Sequence, residues 1–194
     1  MRNAINFKAV SFFILLSIAM TAYIGLMGKS ANKASAESMY DFTEAALGNW
    51  HKISSTLNIP LINTKPSMLQ PVVKEGFGAL DLVIYGHEIV EEEYRSYYQK
   101  LDMPRMVGQL FIPNGEQGEL RYMVGGIQLI SIQAGSENAA FFMDVPKQII
   151  NEASLIYDGV ALSGDRDGTG VVRYEKLNDG RYVMGLFLSP IHNT

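Results

Sequence analysis

The chain has 194 residues, 16 basic and 20 acidic side chains for a formal net charge of −4, and no cysteine; its pI is near 5.4. That balance offers no basic stripe for a phosphate backbone, so nucleic acid is not an expected partner. The missing cysteines exclude a disulfide framework, thiol redox chemistry and cysteine-based zinc sites.

Residues 1–9 form a short, basic, leader-like segment carrying Arg2 and Lys8. The nineteen residues from Ala9 to Met27 carry no charge, and at ~1.5 Å per residue a helix of that length reaches roughly 30 Å, enough to cross a bilayer core. Residues 10–27 are therefore read as a membrane-spanning and assembly helix. Its apolar surface would be Val10, Phe12, Phe13, Ile14, Leu15, Leu16, Ile18, Tyr23, Ile24 and Leu26. A cleaved secretory signal competes with this reading, because Ala34-Ser35-Ala36 is an A-x-A-like site that would release a chain beginning at Glu37. A signal core usually spans about 7 to 15 residues, whereas this run is longer and the A-x-A lies beyond Lys29 and Lys33. Either reading exports everything from Glu37 onward.

Residues 28–57 are expected to continue the helix in amphipathic form. Met39, Phe42, Ala46, Trp50, Ile53 and Leu57 fall three and four apart on one stripe, with Asp41, Glu44, Asn49 and Lys52 largely off it. Gly48 and Ser54-Ser55 are the places for a bend, and Asn58-Ile59-Pro60 ends the helix. Residues 58–194 then make one globular head of ordinary domain size. Pro60, Pro66, Pro71, Gly76 and Gly78 mark a wandering connection. Leu80–Tyr85 reads as a short strand. Glu88–Leu101 reads as a second helix with Glu91 and Arg95 as an exposed pair, stopped near Pro104.

Extended segments follow at Gly108–Ile112, Leu120–Ile132, Ala139–Val145, Gly159–Ser163, Val171–Leu177 and Arg181–Leu188. Turns at Asn114-Gly115, Ala134-Gly135, Asp167-Gly168 and Asp179-Gly180 separate them. One helix interrupts, Pro146–Tyr157, with Ile149, Ile150, Ala153 and Ile156 as its buried side. The fold class is α+β: a long N-terminal helix, its first half membrane-spanning, packed on a head dominated by antiparallel β-sheet.

Motifs that carry chemistry are sparse. His87-Glu88-Ile89-Val90-Glu91 lacks the second histidine of a zincin helix, and His51 and His192 lie far off. There is no G-x-S-x-G elbow, P-loop or G-x-G-x-x-G, so the chain is read as non-enzymatic, with no catalytic residues. Asp165-Arg166-Asp167-Gly168-Thr169-Gly170 follows the start of a calcium loop, with Asp165, Asp167 and Thr169 as ligands and Val172 at the usual apolar position. Its twelfth position is Lys176, where a bidentate carboxylate belongs, so a solvated turn explains the same residues; no cofactor is expected, with calcium at this loop as the alternative. The ten tyrosines and nine phenylalanines fall mostly at core-facing positions, where packing explains them better than sugar stacking.

The order of features resembles a type IVb pilin or pilin-like minor subunit, on three local matches. Leu101-Asp102-Met103-Pro104-Arg105-Met106 is similar to the I-P-x-x-M stretch of these proteins. Val124-Gly125-Gly126-Ile127-Gln128-Leu129 resembles their glycine pair leading into a strand, and Phe141-Phe142-Met143-Asp144-Val145-Pro146 their strand ending in Val-Pro at a helix. The chain departs from the pattern in having no cysteine, with Ile149 and Ile150 near the place of the first. Its sole leader-like junction is Ala9-Val10, which would put Ile14 where the family's fifth-residue glutamate stands. The resemblance implies a structural subunit of a type IVb pilus or related secretion filament, minor or tip-type, acting in assembly, attachment or transfer. It implies other pilin subunits as partners through the N-terminal helix. It also implies the bacterial inner membrane before assembly, the head exported, and the extracellular pilus afterwards. The alternative is an exported envelope binding module cut between Ala36 and Glu37.

Overall fold

The computed structural model describes residues 7–57, 73–75, 77–101, 103, 106, 110–113, 120–134 and 137–188, leaving aside the side chains of 7–16, 18, 19, 57, 79, 110–113, 120 and 121. Helix α1 runs unbroken from Phe7 to Leu57, a rod of about 75 Å. Its C-terminal part is the spine of the head. Ala36, Met39, Phe42, Ala46, Leu47, Trp50 and Ile53 are all buried on the stripe that the three-and-four spacing marks out. Leu57 lies outside the described side chains. Asn49, expected off the stripe, is buried as well, because its Nδ2 donates to the Val83 carbonyl at 3.0 Å; a satisfied amide can enter a core that an unsatisfied one cannot.

Among the described residues seven strands form one antiparallel sheet in the order β1-β2-β3-β4-β7-β6-β5. They are β1 (Leu110–Pro113), β2 (Leu120–Val124), β3 (Ile127–Gln133), β4 (Asn138–Met143), β5 (Arg166–Asp167), β6 (Val172–Lys176) and β7 (Tyr182–Leu188). The first four form a meander. The chain then crosses through helix α4 (Lys147–Tyr157), and the last strand returns to pair with β4, Ala140 opposite Leu186 and Phe142 opposite Met184. The inner face supplies Leu129, Ile132, Ala140, Phe142, Tyr174, Met184 and Leu186 to one core with α1. A register shift between Leu129 and Ser131 breaks the alternation, so that Ser131 and Ile132 are both buried and Ile130 is exposed.

Several elements differ from the sequence reading. Leu80–Tyr85 is not a strand: Ala79–Tyr85 is helix α2. Asp81, three residues after Gly78, accepts the Gly78 N–H at 2.6 Å, a cap that starts a helix where β-branched residues alone suggest extension. The expected helix Glu88–Leu101 is broken into a 3₁₀ turn at Gly86–Ile89, helix α3 (Glu92–Tyr98) and a 3₁₀ turn at Gln99–Leu101. Val90 is pulled into an antiparallel bridge with Val73, and Arg95 pairs with Glu92 at 3.1 Å, not with Glu91. Leu120–Ile132 is two strands joined by the Gly125-Gly126 turn, both glycines at positive φ.

Gly159–Ser163 is no strand either. Side chains pin it instead: Asn151 accepts the Leu162 N–H, and the Tyr174 hydroxyl donates to the Ser163 carbonyl at 2.9 Å. In α4 the buried side is Ile149, Ile150, Ala153 and Ser154, while Ile156 is 39% exposed. The tight hairpin at Asn178-Asp179-Gly180 forms as expected, with Gly180 at φ +87°. Asn114-Gly115 and Asp102, Pro104 and Arg105 lie outside the described residues.

The expectation of a spanning helix over residues 10–27 is not met among the described residues, where no helix is long and apolar enough to cross a membrane. The side chains of 10–16, 18 and 19, which carry much of that segment's apolar character in sequence, lie outside them.

Candidate functional site

The N-terminal half of α1 leaves the head. From Met20 to Ala31 every residue is exposed, and burial begins at Asn32. Met20, Tyr23, Ile24 and Met27 are 57–65% exposed and share one helix face, with Leu26 at 70% beside it. Of the predicted assembly residues, then, Tyr23, Ile24 and Leu26 stand free of the head. Val10, Phe12, Phe13, Ile14, Leu15, Leu16 and Ile18 are helical in backbone, with side chains outside the description. The Thr21 hydroxyl donates back to the Ser17 carbonyl at 2.8 Å, so this polar group is satisfied within the helix and needs no water. Ala9 and Val10 lie in the first turns of α1. Ala36 is fully buried and Glu37 exposed, both in mid-helix.

Where the rod meets the head, the β2–β3 turn presses on it. A Cβ on Gly125 would lie 2.8 Å from the Ser35 carbonyl oxygen and 3.0 Å from its Cα, at φ +58°. The glycine pair seen in the sequence thus serves a tight turn and a backbone contact together. On the other side, Tyr40 of α1 stacks on Tyr157 of α4 with centroids 4.1 Å apart and planes 9° from parallel. Burial, helped by the fields of Asp41 and Glu37, pushes the Tyr157 hydroxyl up to about 12.

Between α1 and the start of α4 lies an open cleft of about 620 Å³, lined by Gly25, Gly28, Lys29, Asn32, Lys147, Gln148, Asn151, Glu152 and Leu162. Sequence reading missed it, since its walls come from two distant segments.

The Asp165–Gly170 loop closes on itself. Asp165 accepts from the Tyr182 hydroxyl at 3.1 Å and pairs with Lys176 at 3.4 Å; the Tyr182 hydrogen bond, with Lys176 beside it, lowers its pKa. Asp167 accepts from the Thr169 N–H at 2.9 Å and hydroxyl at 2.8 Å, which lowers its pKa too. Asp158, at the end of α4, accepts the Val171 and Val172 N–H groups at 2.7 and 2.9 Å. The candidate calcium ligands are thus engaged with Lys176, Tyr182 and each other. Among the described residues no group of three or more His, Asp or Glu side chains could hold a metal.

His87 sits in the 3₁₀ turn and not on an α-helix, so the spacing of a zincin motif has no structural counterpart there. A polar contact within the core was also missed: Asp81 accepts the Tyr122 hydroxyl, joining α2 to β2. Burial raises the pKa of Asp81, and burial together with that bond raises Tyr122. The spacing of Gly78 and Asp81 was the available signal.

On the outer face of the sheet, Gly185 is roofed by Phe187 and Phe141, whose rings meet edge to face at 5.7 Å. Arg173 lies 3.8 Å over Phe187 and pairs with Glu137 at 3.0 Å. This is aromatic cover for a strand glycine. No family model, curated protein or solved structure matches the chain.

Proposed function

We propose that the protein is a non-catalytic structural subunit of a type IVb pilus or a related secretion filament, of the minor or tip type. In this reading residues 10–27 sit in the bacterial inner membrane with the head exported, and later pack against the same helices of neighbouring subunits. The observation that carries it is the single helix α1, uncharged from Ala9 to Met27 and exposed from Met20 to Ala31, while its C-terminal half is the spine of the core. A helix extracted from lipid needs replacement burial, and a bundle of such helices supplies it.

Two of the three motifs behind the family resemblance have structural counterparts that support the reading. The glycine pair is the turn against α1, and Val145-Pro146 joins β4 to α4, with the Val145 N–H bonded to the Tyr182 carbonyl at 3.2 Å. The rival, an envelope binding module released after Ala36, would be cut in mid-helix at a buried residue next to the Ser35–Gly125 contact. The test is replacement of Leu16 or Ile18 with lysine, at a cost on the order of 2.5–3.5 kcal/mol in the bilayer centre. Loss of membrane retention and of incorporation into sheared filaments is expected; normal incorporation would count against the proposal.

A further inference from the structure

We propose that the cleft between α1 and the start of α4 holds the phosphate of an anionic phospholipid headgroup. This rests on the reading of residues 10–27 as a membrane segment. If Met27 ends that segment, Gly28 to Asn32 rise about 6 Å beyond it, and the headgroup layer adds roughly 5–7 Å on each side of a bilayer core. The cleft opens at that level. Tyr23, 63% exposed, lies one helical turn below Met27 within the same segment.

The chemistry of the walls fits an anion. Lys29 comes from the rod and Lys147 from the head, against Glu152 as the carboxylate of the lining. Neither lysine makes an ion pair within 4 Å among the described residues, although the charge of Lys147 also acts on Asp165; nearby Lys33 is paired with Glu37 at 3.6 Å. Asn32 and Gln148 add amide donors. The floor is open at Gly28, where a Cβ would meet nothing within 4 Å. A phosphate between Lys29 and Lys147 would fix the angle at which the head stands on the membrane, since each lysine belongs to a different element.

The test uses the full chain reconstituted in phosphatidylcholine vesicles with or without phosphatidylglycerol, and counts the phosphatidylglycerol that copurifies with it by native mass spectrometry. Retention of phosphatidylglycerol over phosphatidylcholine is expected, falling about fivefold for K29Q and again for K147Q. K33Q should have less effect than either. G28Q keeps the charge and fills the floor, and it should remove the preference without changing insertion. Equal retention by wild type, K147Q and G28Q would overturn the inference in favour of diffuse surface charge. Displacement by millimolar inorganic phosphate would overturn it in favour of a free-phosphate site. A chain that enters both kinds of vesicle and retains no phosphatidylglycerol defeats this inference alone; one that enters neither defeats the membrane reading with it.

Discussion

Replacing Gly125 with alanine puts a methyl group where the β2–β3 turn presses on α1, 2.8 Å from the Ser35 oxygen and 3.0 Å from its Cα. Both obstacles are backbone, so relief requires the turn or the helix to move. Holding a non-glycine residue at φ +58° costs about 1–2 kcal/mol, and forcing an extra carbon into a packed contact about 1–3 kcal/mol more. The expected loss is roughly 2–5 kcal/mol. Gly126 is the internal control: at φ +81° its Cβ would meet nothing within 4 Å, so alanine there should cost only the backbone strain, about 1–2 kcal/mol. Trp50, the single tryptophan and 1% exposed, reports on unfolding of the core that the same helix builds. Urea unfolding of the full chain in a neutral detergent, followed by its fluorescence, should show a midpoint well below that of Gly126→Ala. With a slope of about 1–3 kcal/mol/M, a 2 kcal/mol difference moves the midpoint by roughly 1 M. Equal midpoints would refute the claim that the turn bears on the helix.

Three further outcomes follow from contacts in and against the core. Burial raises the pKa of Asp81 from its ordinary 3.8, so its contribution to stability is complete below that value and is lost as pH rises through the higher folded value. Asp81→Asn should flatten stability over that window in urea titrations at several pH values, and an unchanged slope would contradict the assignment. Tyr122→Phe should cost about 1–3 kcal/mol, because it removes the hydroxyl donor and leaves Asp81 buried with the Gly78 N–H. For the Tyr40–Tyr157 stack, a double-mutant cycle to alanine should give a coupling of about 0.5–1.5 kcal/mol; zero coupling would mean the rings touch without holding α4 to the rod.

What could be read from the sequence followed the reach of local rules. The stripe from Met39 to Ile53 was legible because it repeats over several turns, and the Asn178-Asp179-Gly180 hairpin because its chemistry is complete within three residues. Leu80–Tyr85 was not, since Leu80 to Ile84 are all buried, Asp81 included, and so short a segment has no period to read; the Asp81 cap decided it. The break at Val90 depends on Val73, and Gly159–Ser163 depends on Asn151 and Tyr174, partners that no local pattern announces. The cleft depends on tertiary packing, because Lys29 and Lys147 line one space only when α4 docks on α1. The long N-terminal helix was legible, but its spanning length was not met among the described residues.

N-terminal sequencing of the mature protein, recovered from cells that export it, tests the central claim most directly. A first residue at or before Val10, in material that sediments with membranes or sheared filaments, is the predicted result. A chain beginning at Glu37 and free in solution would contradict it.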